Sequence, residues 1–153
     1  IVFMDLDVVI INNIDHLWDF EGDAFVIIQD FNRCRIKNWH VRNSSVMKFY
    51  PGCENQVWHE FDKHKMNVIG RMHGDQDWVT KMLPQSNIWP RDWIMSYKWE
   101  MRSRPPMHRR KDGVRDFISP GVPAVKPETS IAVFHGDPQP ANCQDPWCIE
   151  NWR

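Results

Sequence analysis

The sequence predicts one α/β domain built on a mixed sheet. Three observations carry that expectation. Short β-branched runs such as "IVFMDLDVVI", "AFVIIQD" and "IAVF" alternate with helically spaced stretches such as "ENQVWHEFDKHKM" and "GDQDWVTKML". The chain has 153 residues, 42% of them apolar, which suits one domain (1–153) with a sizeable core. No internal repeat or low-complexity tract interrupts it.

Ile1 to Ile11 read as a buried strand, because β-branched residues dominate a short run. "NNID" offers an N-cap for a short helix through Leu17, Trp18 and Phe20. "GDAFVIIQD" reads as a second buried strand after a Gly-Asp turn. Phe31 to Arg42 are polar and irregular, a loop. "SSVMKFYPG" is a third strand closed by a Pro-Gly turn. Val57, Trp58 and Phe61 are helically spaced and Met66 follows less regularly, an amphipathic helix. "GDQDWVTKML" starts another helix with acids in its first turn, where the helix dipole favours them. "WIMSYKWEM" alternates like a strand. Residues 102–128 are rich in Pro, Arg and Lys without periodicity and read as a long basic loop. "IAVFHGDP" is a last strand ending in a turn, and "DPWCIENWR" a short terminal helix or tail. No initiator Met precedes Ile1, so the chain reads as the C-terminal part of a longer one.

The net charge is -1, so no overall field points to nucleic acid or to an anionic membrane. Cys34, Cys53, Cys143 and Cys148 form no CxxC pair and fit no common zinc spacing, which favours free thiols in a reducing cytoplasm. No signal peptide is visible, and no run approaches the ~18 apolar residues of a membrane span. This leaves peripheral membrane contact open. Trp78, Trp89, Trp93 and Trp99 are read mostly as core, with one or two free to stack on a sugar.

The chemistry begins at Asp5 and Asp7. On a strand with a period of two, both side chains point to one side. Two hard oxygen ligands at a sheet edge suit Mg²⁺ or Mn²⁺, which would neutralise their repulsion. The ordinary alternative is that they cap a turn or pair with basic residues. Two known patterns fit "DLDVV". In the haloacid dehalogenase type of phosphatase, Asp5 would be the nucleophile and Asp7 the acid/base. In glycosyltransferases of the GT-A fold, the DxD carboxylates hold a divalent metal on the diphosphate of a nucleotide sugar.

Later segments favour the second pattern. The phosphatase would need a Ser/Thr at a strand end and then an acidic motif, and "HGDQDW" matches that only in part. By contrast, "IINNIDHLWDF", "NSSVMKFYPG", "HGDQDWVTKML" and "FHGDPQP" resemble, in order, four segments that follow DxD in the glycogenin and lipopolysaccharide galactosyltransferase family. The resemblance implies a GT-A-like mixed-sheet domain without its N-terminal nucleotide-binding strands. It implies that Asp5, Asp7 and His135 hold Mn²⁺ or Mg²⁺. Asn43 and Ser44 would line the sugar pocket, with Asp77 and Gly136 also at the substrate. Asp75 and Gln76 would face the transferred sugar as the catalytic pair. The activity implied is transfer of a hexose from a nucleotide-diphosphate sugar, such as a UDP-sugar, to a glycan or glycoconjugate, with retention of configuration. The family's diphosphate-binding Lys is replaced by Gln139, so phosphate contacts must come from elsewhere, such as the 102–128 loop. A non-catalytic carbohydrate-binding remnant is the third reading. The residues taken alone also allow bland roles: acids at a helix start are ordinary caps, and a His at a strand end is often structural.

Overall fold

The computed structural model describes residues 1–34, 36–52, 55–101 and 125–152, with the backbone of 108–109 and 115–116. The first apolar run does not make one strand. It makes two, β1 (Val2–Met4) and β2 (Val8–Ile10), which belong to different sheets. Between them Asp5, Leu6 and Asp7 form a tight turn, with Leu6 93% exposed at its tip. The physical reason is that Asp is a poor strand former and two carboxylates in three positions resist burial in a ladder. The period-two placement of Asp5 and Asp7 therefore gives way to a turn placement.

After the short helix α1 (His16–Asp19) comes β3 (Val26–Gln29), then β4 (Arg42–Lys48). β5 (Asn87–Ile88) completes the first sheet, in the order β1-β4-β3-β5. β4 runs antiparallel to both β1 and β3, and β5 runs parallel to β3. β6 (Ile94–Ser96) and β9 (Ile131–Val133) pair with β2 in a second sheet, in the order β2-β9-β6. Alternation along these three strands separates two cores. Val8, Ile94, Ile131 and Val133 face Val26, Ile28, Val46 and Trp89 of the first sheet. Val9, Met95 and Ala132 face Tyr97, Phe134, Cys143 and Cys148 on the other side.

The buried ammonium of Lys48 donates to the carbonyls of Trp18 and Phe20 at 2.7 and 2.6 Å, tying the end of α1 to β4. Helix α2 (Asn55–Arg71) is longer than its spacing suggests and is kinked at His64, whose φ of -123° is not helical. It buries Val68, but Trp58 and Met66 point to solvent. Helix α3 (Asp75–Met82) forms as expected and packs on β4. The predicted strand "WIMSYKWEM" ends at Ser96, and Tyr97–Met101 wind into a π-helical turn. Side chains explain that turn. Glu100 accepts the Ser96 N–H at 3.2 Å, and Ser96 Oγ accepts the Trp99 N–H at 3.1 Å.

The expected loop at 31–42 opens with a 3₁₀ turn, Phe31–Cys34. Asp30 Oδ1 fixes it by accepting from Asn32 N, Asn32 Nδ2 and Trp39 Nε1. Most of the expected 102–128 loop lies outside the described residues. Within it, β7 (His108–Arg109) and β8 (Arg115–Asp116) pair antiparallel, so the segment is not wholly loop. Helix α4 (Pro146–Asn151) closes the chain with Pro in its first turn. Trp78 and Trp89 are buried, and Trp93 and Trp99 pack against the first core. Cys143 and Cys148 are buried free thiols and Cys34 is half-buried; Cys53 lies outside the described residues. Among the described residues no helix is long and apolar enough to cross a membrane.

Candidate functional site

The Asp5–Asp7 turn is where the two sheets meet. On one side the Asp5 N–H donates to Ser45 O on β4 at 2.9 Å. On the other, Asp7 O accepts the Phe134 N–H at 2.9 Å, next to His135. One turn thus sits between the "NSSVM" strand and the "FHGDP" segment, although both are distant in sequence.

β4 is irregular at this point. Ile27 pairs with Met47 but the next residue, Ile28, pairs with Asn43, so Ser44, Ser45 and Val46 bulge away from β3. Bulges often mark functional sites because they re-aim side chains and release ladder groups. Here the released Val46 carbonyl is taken by the buried Trp89 indole N–H at 3.1 Å. Asn43 turns back to accept the Ser45 N–H at 3.1 Å, and its amide donates to Gln76 Oε1 at 3.5 Å. Helix α3 is docked in the same place: Thr80 Oγ1 accepts from Arg42 N and donates to Gln76 O. Asn43 and Gln76 are therefore neighbours, one from a strand and one from a helix N-terminus.

The other named residues fall as follows. Ser44 is buried in the bulge. Asp75 is exposed at the start of α3. Asp77, in the first turn of α3, accepts the N–H of His73 just before the helix at 3.2 Å, with the imidazole 3.5 Å away. Gly136 has a φ of +69°, and a β-carbon there would lie 3.2 Å from Lys98 Nζ. The left-handed backbone and the nearby ammonium both favour glycine.

His135 departs from the expected role. Its ring stacks on Phe31 at 5.4 Å and meets Trp99 edge-on at 5.1 Å. Nε2, expected on a metal, lies 2.6 Å from the buried Ser96 Oγ. Burial first, and then the Lys98 charge, push the imidazole down to about 4, so it is neutral at pH 7. Among the described residues no three His, Cys, Asp or Glu side chains group as a metal site, so Asp5, Asp7 and His135 do not form the expected triad. The two carboxylates remain as a pair. Burial first, and then the charge of Asp5, hold the Asp7 carboxyl above its usual range. A cation between them would relieve that repulsion, so the donor set fits a hard divalent metal.

Sequence reasoning missed two features. Lys98 is buried beside Gly136, in a segment whose alternation mimics a strand. Glu100 is the hub of a buried network. Arg33 grips it in a bidentate pair at 3.0 and 2.9 Å, and Arg91 binds it at 2.8 Å. Arg33 also donates to the carbonyls of Gln29 and Ile94. This network holds the Phe31 turn against the π-helical turn, and so fixes both walls around His135. Arg33 and Glu100 are 67 residues apart, and no local spacing announces the pair.

No family model matches the sequence, and no curated protein matches it. Among solved structures, an active-site mutant of LgtC, a glycosyltransferase, superposes with a TM-score of 0.58 at 12% identity. The match covers 95% of this chain and 56% of that one, so the chain spans little more than half the length of this neighbour. The likeness is one of fold: the mixed α/β arrangement is GT-A-like.

Proposed function

We propose that this chain carries the catalytic half of a glycosyltransferase that moves a hexose from a nucleotide-diphosphate sugar, such as a UDP-sugar, to a glycan or glycoconjugate. One observation carries the reading. The Asp5–Asp7 turn is hydrogen-bonded to both Ser45 and Phe134, and Asn43 of the first of these segments reaches Gln76. Segments that resemble the family one by one thus lie side by side.

In this reading Asp5 and Asp7 would hold Mn²⁺ or Mg²⁺ for the donor diphosphate. The metal supplies Lewis-acid stabilisation of the departing diphosphate. Gln76 and Asp75 face the transferred sugar and stabilise positive charge developing at its anomeric carbon. Asn43 and Ser44 bind sugar hydroxyls, and Asp77 keeps the start of α3 in place. Gly136 allows close approach of the donor, and the adjacent Lys98 provides positive charge where Gln139 replaces the family lysine. His135 serves as an apolar-flanked floor, held by Ser96. Retention of configuration is part of the proposal and follows the family resemblance.

The test is hydrolysis of UDP-sugars with Mn²⁺, which should be measurable and should vanish in Asp7→Asn. Turnover of a generic phosphomonoester, with beryllofluoride trapped on Asp5, would instead support the phosphatase reading. The phosphatase is the weaker reading because Asp5 follows an antiparallel edge strand of a glycosyltransferase-like fold.

A further inference from the structure

A second concave site lies away from the Asp5–Asp7 turn. The turns at 23–25, 50–52 and 82–87 and the first turn of α2 enclose an open groove of about 740 Å³. Tyr50 follows β4, five residues beyond the Ser45 carbonyl that holds Asp5. At ~3.3 Å per extended residue that is on the order of 15 Å.

The lining has a definite chemistry. Phe25 and Tyr50 offer aromatic surface, and Leu83 an aliphatic wall. Asp23, Gln56 and Gln85 bring a carboxylate and two primary amides, and none of these three side chains makes a hydrogen bond to another described residue. Among the described residues, the lining includes no Lys, Arg or His. The Arg42 guanidinium is engaged as a strut behind the wall. Its Nε donates to Ser86 Oγ at 3.0 Å, and its other nitrogens to the carbonyls of His40 and Pro84.

The walls are also fixed. Asn87 N donates to Phe25 O, Ser86 N to Leu83 O, Ala24 N to Glu21 O and Asn55 N to Gly52 O, so hydrogen bonds within the protein hold all three turns. A site with aromatic faces, spare amides, a carboxylate and, among the described residues, no cation disfavours phosphates. It suits a ligand that is uncharged, rich in hydroxyls, and has apolar C–H faces.

We propose that this groove binds a neutral oligosaccharide, with Tyr50 stacking on a sugar ring and Asp23, Gln56 and Gln85 bonding its hydroxyls. The site is separate from the Asp5–Asp7 turn and does not depend on metal or donor. Its role would be to hold a glycan on the protein, whatever reaction the other site performs.

The experiment is amide NMR of the chain titrated with lactose, maltotetraose and chitotriose. At least one should shift resonances of Asp23–Phe25, Tyr50 and Gln85–Asn87, with affinity unchanged by Mn²⁺ or by Asp7→Asn. Tyr50→Ala should weaken it about tenfold, and so should Gln85→Ala, which leaves the aromatic wall intact. Circular dichroism confirms that both variants fold. Three results would overturn the proposal: no shift in the groove with any of the sugars, shifts confined to the Asp5–Asp7 turn, or UDP rather than sugar moving the groove resonances. Because Asp7→Asn should abolish donor hydrolysis but not groove binding, failure at one site is distinguishable from failure at the other.

Discussion

Burial and the charge of Asp5 hold the Asp7 carboxyl above its ordinary value of 3.8, so ionising it costs the fold more than the unfolded chain. The penalty is present at neutral pH and disappears below 3.8, where both states carry the proton. Asp7→Asn should therefore raise the melting temperature at pH 7. The gain should shrink to nothing as the pH falls well below 3.8. Thermal melts across pH decide this, and a lower melting temperature for Asp7→Asn at pH 7 would refute it. His135 works in the opposite sense. Its imidazole is held down to about 4 against an ordinary 6.5, so between those values the unfolded chain takes a proton that the fold refuses. Stability should fall as pH drops through this window, and His135→Phe should flatten the fall. An unchanged acid limb in that variant would mean that another group controls it. Gly136→Ala should cost about 1–2 kcal/mol through its positive φ alone, readable by urea denaturation.

At the scale of elements, the Glu100 network makes a sharper prediction. Both members of the Arg33–Glu100 pair are almost fully buried, with side chains 4% and 1% exposed. Glu100→Ala leaves the Arg33 charge uncompensated and should cost about 3–5 kcal/mol. The double change Arg33→Met with Glu100→Leu removes both charges and should recover most of that loss. If the double variant were as unstable as the single one, the pair would not be what holds the two turns together. This network also shows what the sequence conceals. Helix α3 was legible because Asp75, Gln76 and Asp77 precede a helically spaced apolar set within one short window. β3 was legible because "VIIQ" is a buried run bounded by turn residues. The π-helical turn was not, because Tyr97, Trp99 and Met101 alternate with polar residues as a strand would. What bends the chain there is Glu100 folding back on Ser96 and meeting an arginine from a distant turn. The break at Asp5–Asp7 was half legible: the carboxylates stood out, but their placement depends on Ser45 and Phe134, which local pattern cannot pair. His135 stood out for its position, but its contact with Ser96 was not legible, since Ser96 lies 39 residues away.

On the scale of the whole molecule, two sheets converge on one turn that offers two carboxylates and, among the described residues, no third metal-binding side chain. Mg²⁺ in particular is commonly held by one or two carboxylates plus substrate phosphates and water. On the proposed function, such a site would be half-built until the diphosphate arrives. Mn²⁺ or Mg²⁺ alone should then bind weakly, and UDP should tighten its binding at least about tenfold. By linkage the metal must raise the affinity for UDP by the same factor. Inorganic pyrophosphate, which needs no nucleoside contacts, should reproduce part of the effect. Because Asp7 must ionise to bind the cation, the coupling should weaken as pH falls through its raised pKa. Asp5→Asn and Asp7→Asn should each remove the coupling, whereas His135→Phe, which alters a side chain already held by Ser96, should leave most of it. Calorimetric titrations of metal with and without each phosphate ligand measure all of these terms. Tight metal binding without phosphate, or coupling that survives both aspartate substitutions, would mean that the cation sits elsewhere. Loss of coupling in His135→Phe equal to that in Asp7→Asn would instead mean that the imidazole leaves Ser96 to complete the metal shell.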